Sequence, residues 1–452
     1  METINDLDIQ IAKGRFQYLG PITITCSDNG IFLSNTHFSN TENVEFNNCK
    51  FTGNYLEISG VDKTELGLRF LNCTFEIDLK IEDCKLQTLG FAHTKKIKSI
   101  ELWNCESNYF YFKNDENEKQ ENKLYGNLSI SNLTVKNSFE YKNINHVKGK
   151  FSFSESPNIS IKVQDVDDYI NFENNTFNIA NFNNVTFNNK VSFNKTEILK
   201  NCNFDKCDFF ETTWFESCLN NETGSLKFIA CKFKKYSLFD NSFFNTIEIS
   251  HTKFEEKVSF ENFNTDLFKI HQVSFLDAVY FDDLNKSNDK VIENWDRKTL
   301  RAIKREIVNT HNQIDYLRFK AYELKAYRKE IDINKLSWKD SLILYFNQES
   351  NNFGLDWTKG IRFIFQWSFI FYILYIILYS ARIDELSKIP NISDFLVNYL
   401  KFTNPLSFLD PPLDNSEDYF LPLITLSLGK IFVSYGIYQT IQAFRKFGVN
   451  GG

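Results

Sequence analysis

Lys430 stands near the middle of a long apolar stretch, FLPLITLSLGKIFVSYGIYQTIQA (420–443), with Ser427 and Ser434 beside it and Gln439 further on. An ammonium group surrounded by hydrocarbon is costly and is kept where it faces water, pairs with an acid or handles ions. One reading makes Ser427, Lys430, Ser434 and Gln439 pore-lining residues, with Lys430 disfavouring cations or acting in gating. The other has Lys430 snorkel, or pair with an acidic residue of the loop that precedes it. A second concentration of charge is basic: Arg297, Lys298, Arg301, Lys304 and Arg305, then Arg318, Lys325 and Arg328. These lie among apolar residues at helical spacing (Leu300, Ile303, Ile307, Ile314, Leu317, Tyr322, Leu324). Such a helix pair either caps a neighbouring domain with a solvated face, or attracts anionic lipid headgroups, or binds an anionic ligand such as a nucleotide or oligonucleotide.

Nine cysteines and six histidines invite a metal or redox reading. No CxxC occurs and the histidines are scattered, so no metal and no cofactor are expected. Seven of the cysteines (49, 73, 84, 105, 207, 218, 231) each follow a large apolar residue by three positions; elsewhere that slot holds Thr94, Asn175, Val185, Thr196, Ser242 or Thr252. The slot therefore calls for a small core filler. A phosphate loop, an HExxH motif and a His-based triad are all missing from the sequence, which points away from an enzyme. The net charge of −7 argues against wrapping of nucleic acid by the whole surface, leaving room for one local basic site.

The element that carries the slot is a repeat. Phe172, Phe182, Phe193, Phe204, Phe215, Phe228, Phe239, Ile249, Phe260, Ile270 and Phe281 follow one another at steps of 10 or 11, with one step of 13; Phe70, Ile81, Phe91 and Leu102 show the same step. Many have an apolar partner five residues on, as in Phe46/Phe51 and Phe204/Phe209. A helix returns its apolar face every three or four residues and cannot hold this pattern. Short strands joined by Asn-rich turns can, because Asn tolerates turn conformations. Two steps make a coil of about 21 residues in a parallel β-helix. The interval 106–170 breaks the rhythm, and the polar run from Lys113 to Lys123 is expected to be an exposed loop. The phrases NVEFNNCKF, LRFLNCTF and NFNNVTF resemble the pentapeptide-repeat and related right-handed β-helix proteins over residues 30–282, without the strict five-residue periodicity. Some such proteins mimic DNA with an acidic rod.

Residues 361–381 and 420–443 are each long and apolar enough to span a bilayer. Lys359 and Arg362 precede the first; Arg445 and Lys446 follow the second; Asp384, Glu385, Asp394, Asp410, Asp414, Glu417 and Asp418 lie between. This asymmetry puts both termini in the cytoplasm and the chain in the inner (cell) membrane. The first ten residues lack a secretory signal, so the β-helix is expected in the cytoplasm with reduced cysteines. Between the spans, SDFLVNYLKF reads as a short pore-type helix ended by Asn404-Pro405. One such unit cannot enclose a pore, so three to five copies, most simply a homotetramer, must assemble. The expected domains are 1–285 (β-helix), 286–332 (basic helical linker), 333–360 (interfacial segment) and 361–447 (transmembrane pair).

The blocks LILYFNQESNNFGLDWTKGIRF and GKIFVSYGIYQTIQAFRKFG resemble bacterial proteins that fuse a pentapeptide-type β-helix to a two-transmembrane ion-channel-like domain, some of them Hailong-type antiphage membrane effectors. That resemblance implies an ion-conducting effector held shut by a nucleotide-derived ligand, and a regulatory partner enzyme that supplies it. A membrane-anchored scaffold whose β-helix binds a partner, without conduction, is the alternative.

Overall fold

The computed structural model describes residues 2–115, 123–124, 126–146, 151–154, 170–220, 223–286, 288–334, 338–380, 392–406, 411–413 and 420–444. They fall into two compact units, Met1–Ala302 and Ile303–Gly452. The expected linker is thus divided: its first part belongs to the first unit, and its remainder, with the expected interfacial segment, to the helical unit.

The first unit is a parallel β-solenoid of about 11 turns with a spacing of roughly 23 residues. Its coils are slightly longer than expected from two 10- or 11-residue steps, because turns take up extra residues: Phe182, Phe204, Phe228 and Ile249 occupy one register column at intervals of 22, 24 and 21. Stacking identical positions about 4.8 Å apart places ring on ring. One ladder runs Tyr18–Phe46–Phe70–Phe91–Phe112, with centroids 4.9–5.3 Å apart. Another runs Phe172–Phe193–Phe215–Phe239–Phe260–Phe281, and a third Phe187–Phe209–Phe233–Phe254–Phe275. Each offset pair adds ~0.5–1.5 kcal/mol beyond its buried area.

The corners explain the remaining sequence pattern. Two residues after an anchor the backbone turns left-handed: Asn48, Asn72, Asn104, Asn143, Asn174 and Asn262 have φ of 51–59°. Asn is the non-glycine residue best suited to that conformation. The corner N–H donates to the next coil, as Asn72 N does to Ala92 O (2.9 Å) and Asn241 N to Glu261 O (3.0 Å). One position on, the slot residue turns inward and donates to the anchor carbonyl of the preceding coil. Cys73 Sγ donates to Phe46 O (3.3 Å), Cys231 Sγ to Phe204 O (3.4 Å), Ser242 Oγ to Phe215 O (2.7 Å), Thr196 Oγ1 to Phe172 O (3.2 Å) and Asn175 Nδ2 to Tyr141 O (2.7 Å). Small size is half of what the slot selects. The other half is a donor for a buried carbonyl.

The interval 106–170 departs from expectation. Residues 106–113 and 127–142 stay in the ladder, pairing Phe110 with Phe139 and Phe112 with Tyr141. The rhythm is hidden because this coil takes 29 residues and Tyr replaces Phe as anchor. Most of the expected loop, 116–122, lies outside the described residues.

Both solenoid ends are closed. At one, Glu2–Ile4 pairs with Ile22–Ile24, and helix α1 (Leu7–Ala12) buries Leu7 and Ile11. At the other, after α2 (Asp289–Ile292), Trp295 Nε1 donates to Asp266 O (3.0 Å). Thr299, in the first turn of α3 (Arg297–Asn309), accepts from Ile270 N (2.9 Å). The start of the basic linker is a cap, as a solenoid requires.

The helical unit contains α4 (Gln313–Asn334), α5 (Trp338–Asn351), α6 (Trp357–Ser380), α7 (Ile392–Thr403) and α8 (Phe420–Phe444). Helices α6 and α8 are both long and apolar enough to cross a membrane. They pack antiparallel through glycines: a Cβ on Gly360 would lie 2.2 Å from Thr440 Oγ1, on Gly436 2.6 Å from Ile364 Cγ1, and on Gly429 3.0 Å from Phe371 Cβ. Small residues permit such close approach of two helix backbones. Trp357 and Phe444 stack at the shared end, 5.1 Å apart.

Candidate functional site

The expected short helix is α7, and tyrosine hydroxyls fix it to α6. Tyr399 Oη lies 2.8 Å from Ser368 Oγ and donates to Phe365 O (3.1 Å); Tyr372 Oη donates to Phe395 O (3.1 Å). Tyr372, Tyr375, Tyr379, Phe402 and Leu426 form a buried cluster joining α6, α7 and α8. Helices α6, α7 and α8 therefore form one packed body.

The four polar residues of α8 lie in different places. Lys430 is wholly buried within the protomer, and Gln439 nearly so. Ser427 is half-buried and donates to Leu423 O of its own helix (2.9 Å). Ser434 lies on the exposed face, with Ile424, Leu428, Ile431, Tyr438 and Ile441. Of the flanking charges, Lys359 and Arg362 open α6. Arg445, Lys446, Asp384, Glu385, Asp410, Asp414, Glu417 and Asp418 lie outside the described residues.

Gln439 belongs to a polar clasp that the sequence did not reveal. Asn347 Oδ1, on α5, accepts from Tyr435 Oη (2.9 Å) and Gln439 Nε2 (3.0 Å). Asn351 Nδ2 donates to the Gln439 carbonyl (3.1 Å) and to its side-chain oxygen. Asn351 Oδ1 in turn accepts from Gly354 N (2.9 Å), in the turn that ends α5. Above the clasp, Phe346 meets Phe363, Trp367 and Phe432. The stretch expected to be interfacial supplies, in α5, a helix that meets both α6 and α8. Its partners are about 90 residues away in sequence, so no local pattern announces them.

Asp356 caps α6. Its Oδ1 accepts from Thr358 N (2.9 Å) and Thr358 Oγ1 (2.6 Å). The Thr358 hydroxyl bond, aided by the backbone N–H groups, holds the Asp356 carboxyl below its usual range. Its contribution is present above the unfolded carboxylate pKa and is lost as pH falls through the lowered folded value. Asp356→Ala is expected to cost ~1 kcal/mol, as for other N-caps, at neutral pH and little in strong acid. Thermal unfolding of both proteins across pH 2–7 measures this.

The eight basic candidates are divided between the two units. Arg297, Lys298 and Arg301 lie in the first unit; Lys304, Arg305, Arg318, Lys325 and Arg328 lie in the helical unit. Lys304 is paired with Glu323, Arg305 with Glu306 (2.8 Å) and Arg318 with Asp315 (3.3 Å). Arg328 donates to Gln348 Oε1 (2.6 Å) and sits over the Tyr345 ring, while Lys325 sits over Tyr322.

On the solenoid, charges alternate from coil to coil. Glu76 bridges Lys50 and Lys96, Asp78 pairs with Lys98, Lys227 with Glu248 and Lys235 with Glu256. These pairs neutralise part of the solenoid's charge; over 1–285 acidic residues still outnumber basic ones, 40 to 29. All nine thiols are buried and free, and among the described residues no group of three or more His, Cys, Asp or Glu could hold a metal. Burial pushes the Cys26 and Cys218 thiols up to about 12, leaving almost no thiolate at neutral pH. Native protein is expected to resist a water-soluble alkylating agent at pH 7 and to take up nine equivalents only in denaturant, counted by mass spectrometry.

No protein-family model, no curated protein and no solved structure matches the chain.

Proposed function

We propose that the chain is a membrane-embedded, oligomeric ion channel gated by its cytoplasmic β-solenoid and basic helices, serving as an antiphage effector that depolarises the membrane. The observation that carries this reading is the exposure of the two apolar helices. In their most apolar 18 residues only 22% of α6 and 39% of α8 is buried, whereas the core helix of a soluble protein is mostly covered. Phe365, Phe369, Leu374 and Ile377 of α6 and Leu421, Ile424, Leu428 and Ile431 of α8 are large apolar side chains left exposed. Soluble monomers rarely expose large apolar patches. The loop after α6 and the segment after α8 set both termini on the cytoplasmic side by the charge asymmetry described above.

Two spans cannot surround a pore, so copies must share one, and the side of α8 that carries Ser434, away from the α5 cleft, is the surface proposed for it. Ser434 is the polar residue of the original four on that face. Lys430, buried in the protomer, acts on gating through the packing of α6, α7 and α8. An anionic, nucleotide-type ligand supplied by a partner enzyme binds among the basic residues of 297–328, and its differential affinity for the closed and open states sets the gate.

The native thiols are buried, so an introduced cysteine can be read alone. In a planar bilayer, Ser434→Cys is expected to lose at least half of its current after a charged methanethiosulfonate is added, with wild type unaffected. Current that ignores the reagent removes Ser434 from the conduction path. The scaffold alternative keeps the same membrane anchor and gives the solenoid's long faces a partner protein to bind.

A further inference from the structure

Between α5 and α8 lies a cleft of about 260 Å³ lined by Ile343, Phe346, Asn347, Ile431, Phe432 and Tyr435. Five of the six are apolar or aromatic, and Ile343 and Ile431 are among the exposed apolar residues of the helical unit. The polar group at its floor is the Asn347 side-chain amide. Its oxygen is committed twice, to Tyr435 Oη and Gln439 Nε2. A glutamine nitrogen can only donate, so the Asn347 atom it meets is the oxygen, and the amide orientation is fixed. The Asn347 NH2 therefore points away from the clasp with two donors, and no acceptor meets them among the described residues. That nitrogen is also absent from the buried unsatisfied atoms, so it remains reachable from outside.

An amide donor in an apolar setting is costly without an acceptor, and within a bilayer water does not supply one. We infer that the cleft binds a membrane glycerolipid: its acyl chain lies along Ile343, Phe346, Ile431 and Phe432, and an ester carbonyl oxygen accepts from Asn347 Nδ2. The clasp sits toward the Trp357–Phe444 end of the hairpin, the end at which lipid esters meet the spans. The lipid touches the one residue that ties α5 to both Tyr435 and Gln439, so its occupancy stiffens the junction between the spans and the preceding helices. This inference rests on the membrane reading above.

The test uses full-length protein in nanodiscs containing a phosphatidylethanolamine with a diazirine in its sn-2 chain near the ester, with labelled peptides mapped by mass spectrometry. Labelling of 343–347 and 431–435 is expected to exceed that of the outer face of α6 (Phe365, Phe369) at least five-fold. Asn347→Asp keeps an oxygen for Tyr435 and Gln439 but removes both donors; it is expected to cut cleft labelling at least three-fold, with the unfolding temperature near wild type. Ile431→Trp fills the cleft and is expected to abolish the preference. Uniform labelling of all outward faces, or an Asn347→Asp profile equal to wild type, overturns the lipid site and leaves the membrane reading standing. Absence of lipid labelling on every helix overturns both.

Discussion

Phe204→Ala is expected to destabilise the solenoid by ~3–5 kcal/mol, the range for truncating a buried aromatic. The Phe204 ring stacks on Phe182 at 4.5 Å and on Phe228 at 5.0 Å, and meets the edges of Phe193 and Phe215. Removing it interrupts one ladder and leaves a void against another. A solenoid's stability is a sum of coil-to-coil terms, so the damage should concentrate in the coils around residues 182–228. Hydrogen exchange on the full-length chain should show those amides opening first, while residues 44–92 keep their protection. Phe32, on the outside and half exposed, gives the control: Phe32→Ala should change stability by less than about 0.5 kcal/mol.

Substituting leucine at both Gly360 and Gly436 should prevent the hairpin of α6 and α8 from closing. The Gly360 Cβ would meet not only Thr440 Oγ1 but also Thr440 Cα at 3.1 Å, backbone that cannot rotate aside. Overpacking at one such contact costs ~1–3 kcal/mol, and two contacts on one helix pair compound it. The clasp then fails as well, because Gln439 lies one residue from Thr440. The double variant is expected to lose current entirely and to become sensitive to protease between residues 338 and 444 in detergent. Ile377→Ala, on an outward face, should leave both unchanged.

The two units were legible in the sequence to different degrees, for a physical reason. In the solenoid every coil repeats the same local problem, so Phe, Asn and Cys recur at fixed offsets, and the anchors, turns and slot could be read from spacing. The donor role of the slot could not, because the carbonyl that Cys73 or Ser242 satisfies belongs to a residue 27 positions earlier. The short helix between α6 and α8, α7, was readable from its amphipathic spacing and its Asn-Pro stop. The clasp was not. Asn347 and Asn351 sit in a polar run, NQESNN, that looks like an ordinary helix end, and they acquire meaning only when α5 docks on α8. The facing of Lys430 was hidden similarly: a lone lysine in an apolar run is compatible with a pore or with a packed interior until α6 and α7 are in place. The eight basic residues are close in sequence, and the carboxylates that face three of them, such as Glu323 for Lys304, come from positions that no local spacing marks.

Conduction is tested most directly by single-channel recording from the purified full-length protein in a planar bilayer. Discrete current steps of uniform size, present for wild type and lost in the Gly360→Leu/Gly436→Leu protein, are expected. Protein that inserts into the bilayer yet passes no current at any voltage, with or without cytosolic extract on the solenoid side, contradicts the channel and leaves a membrane-held scaffold.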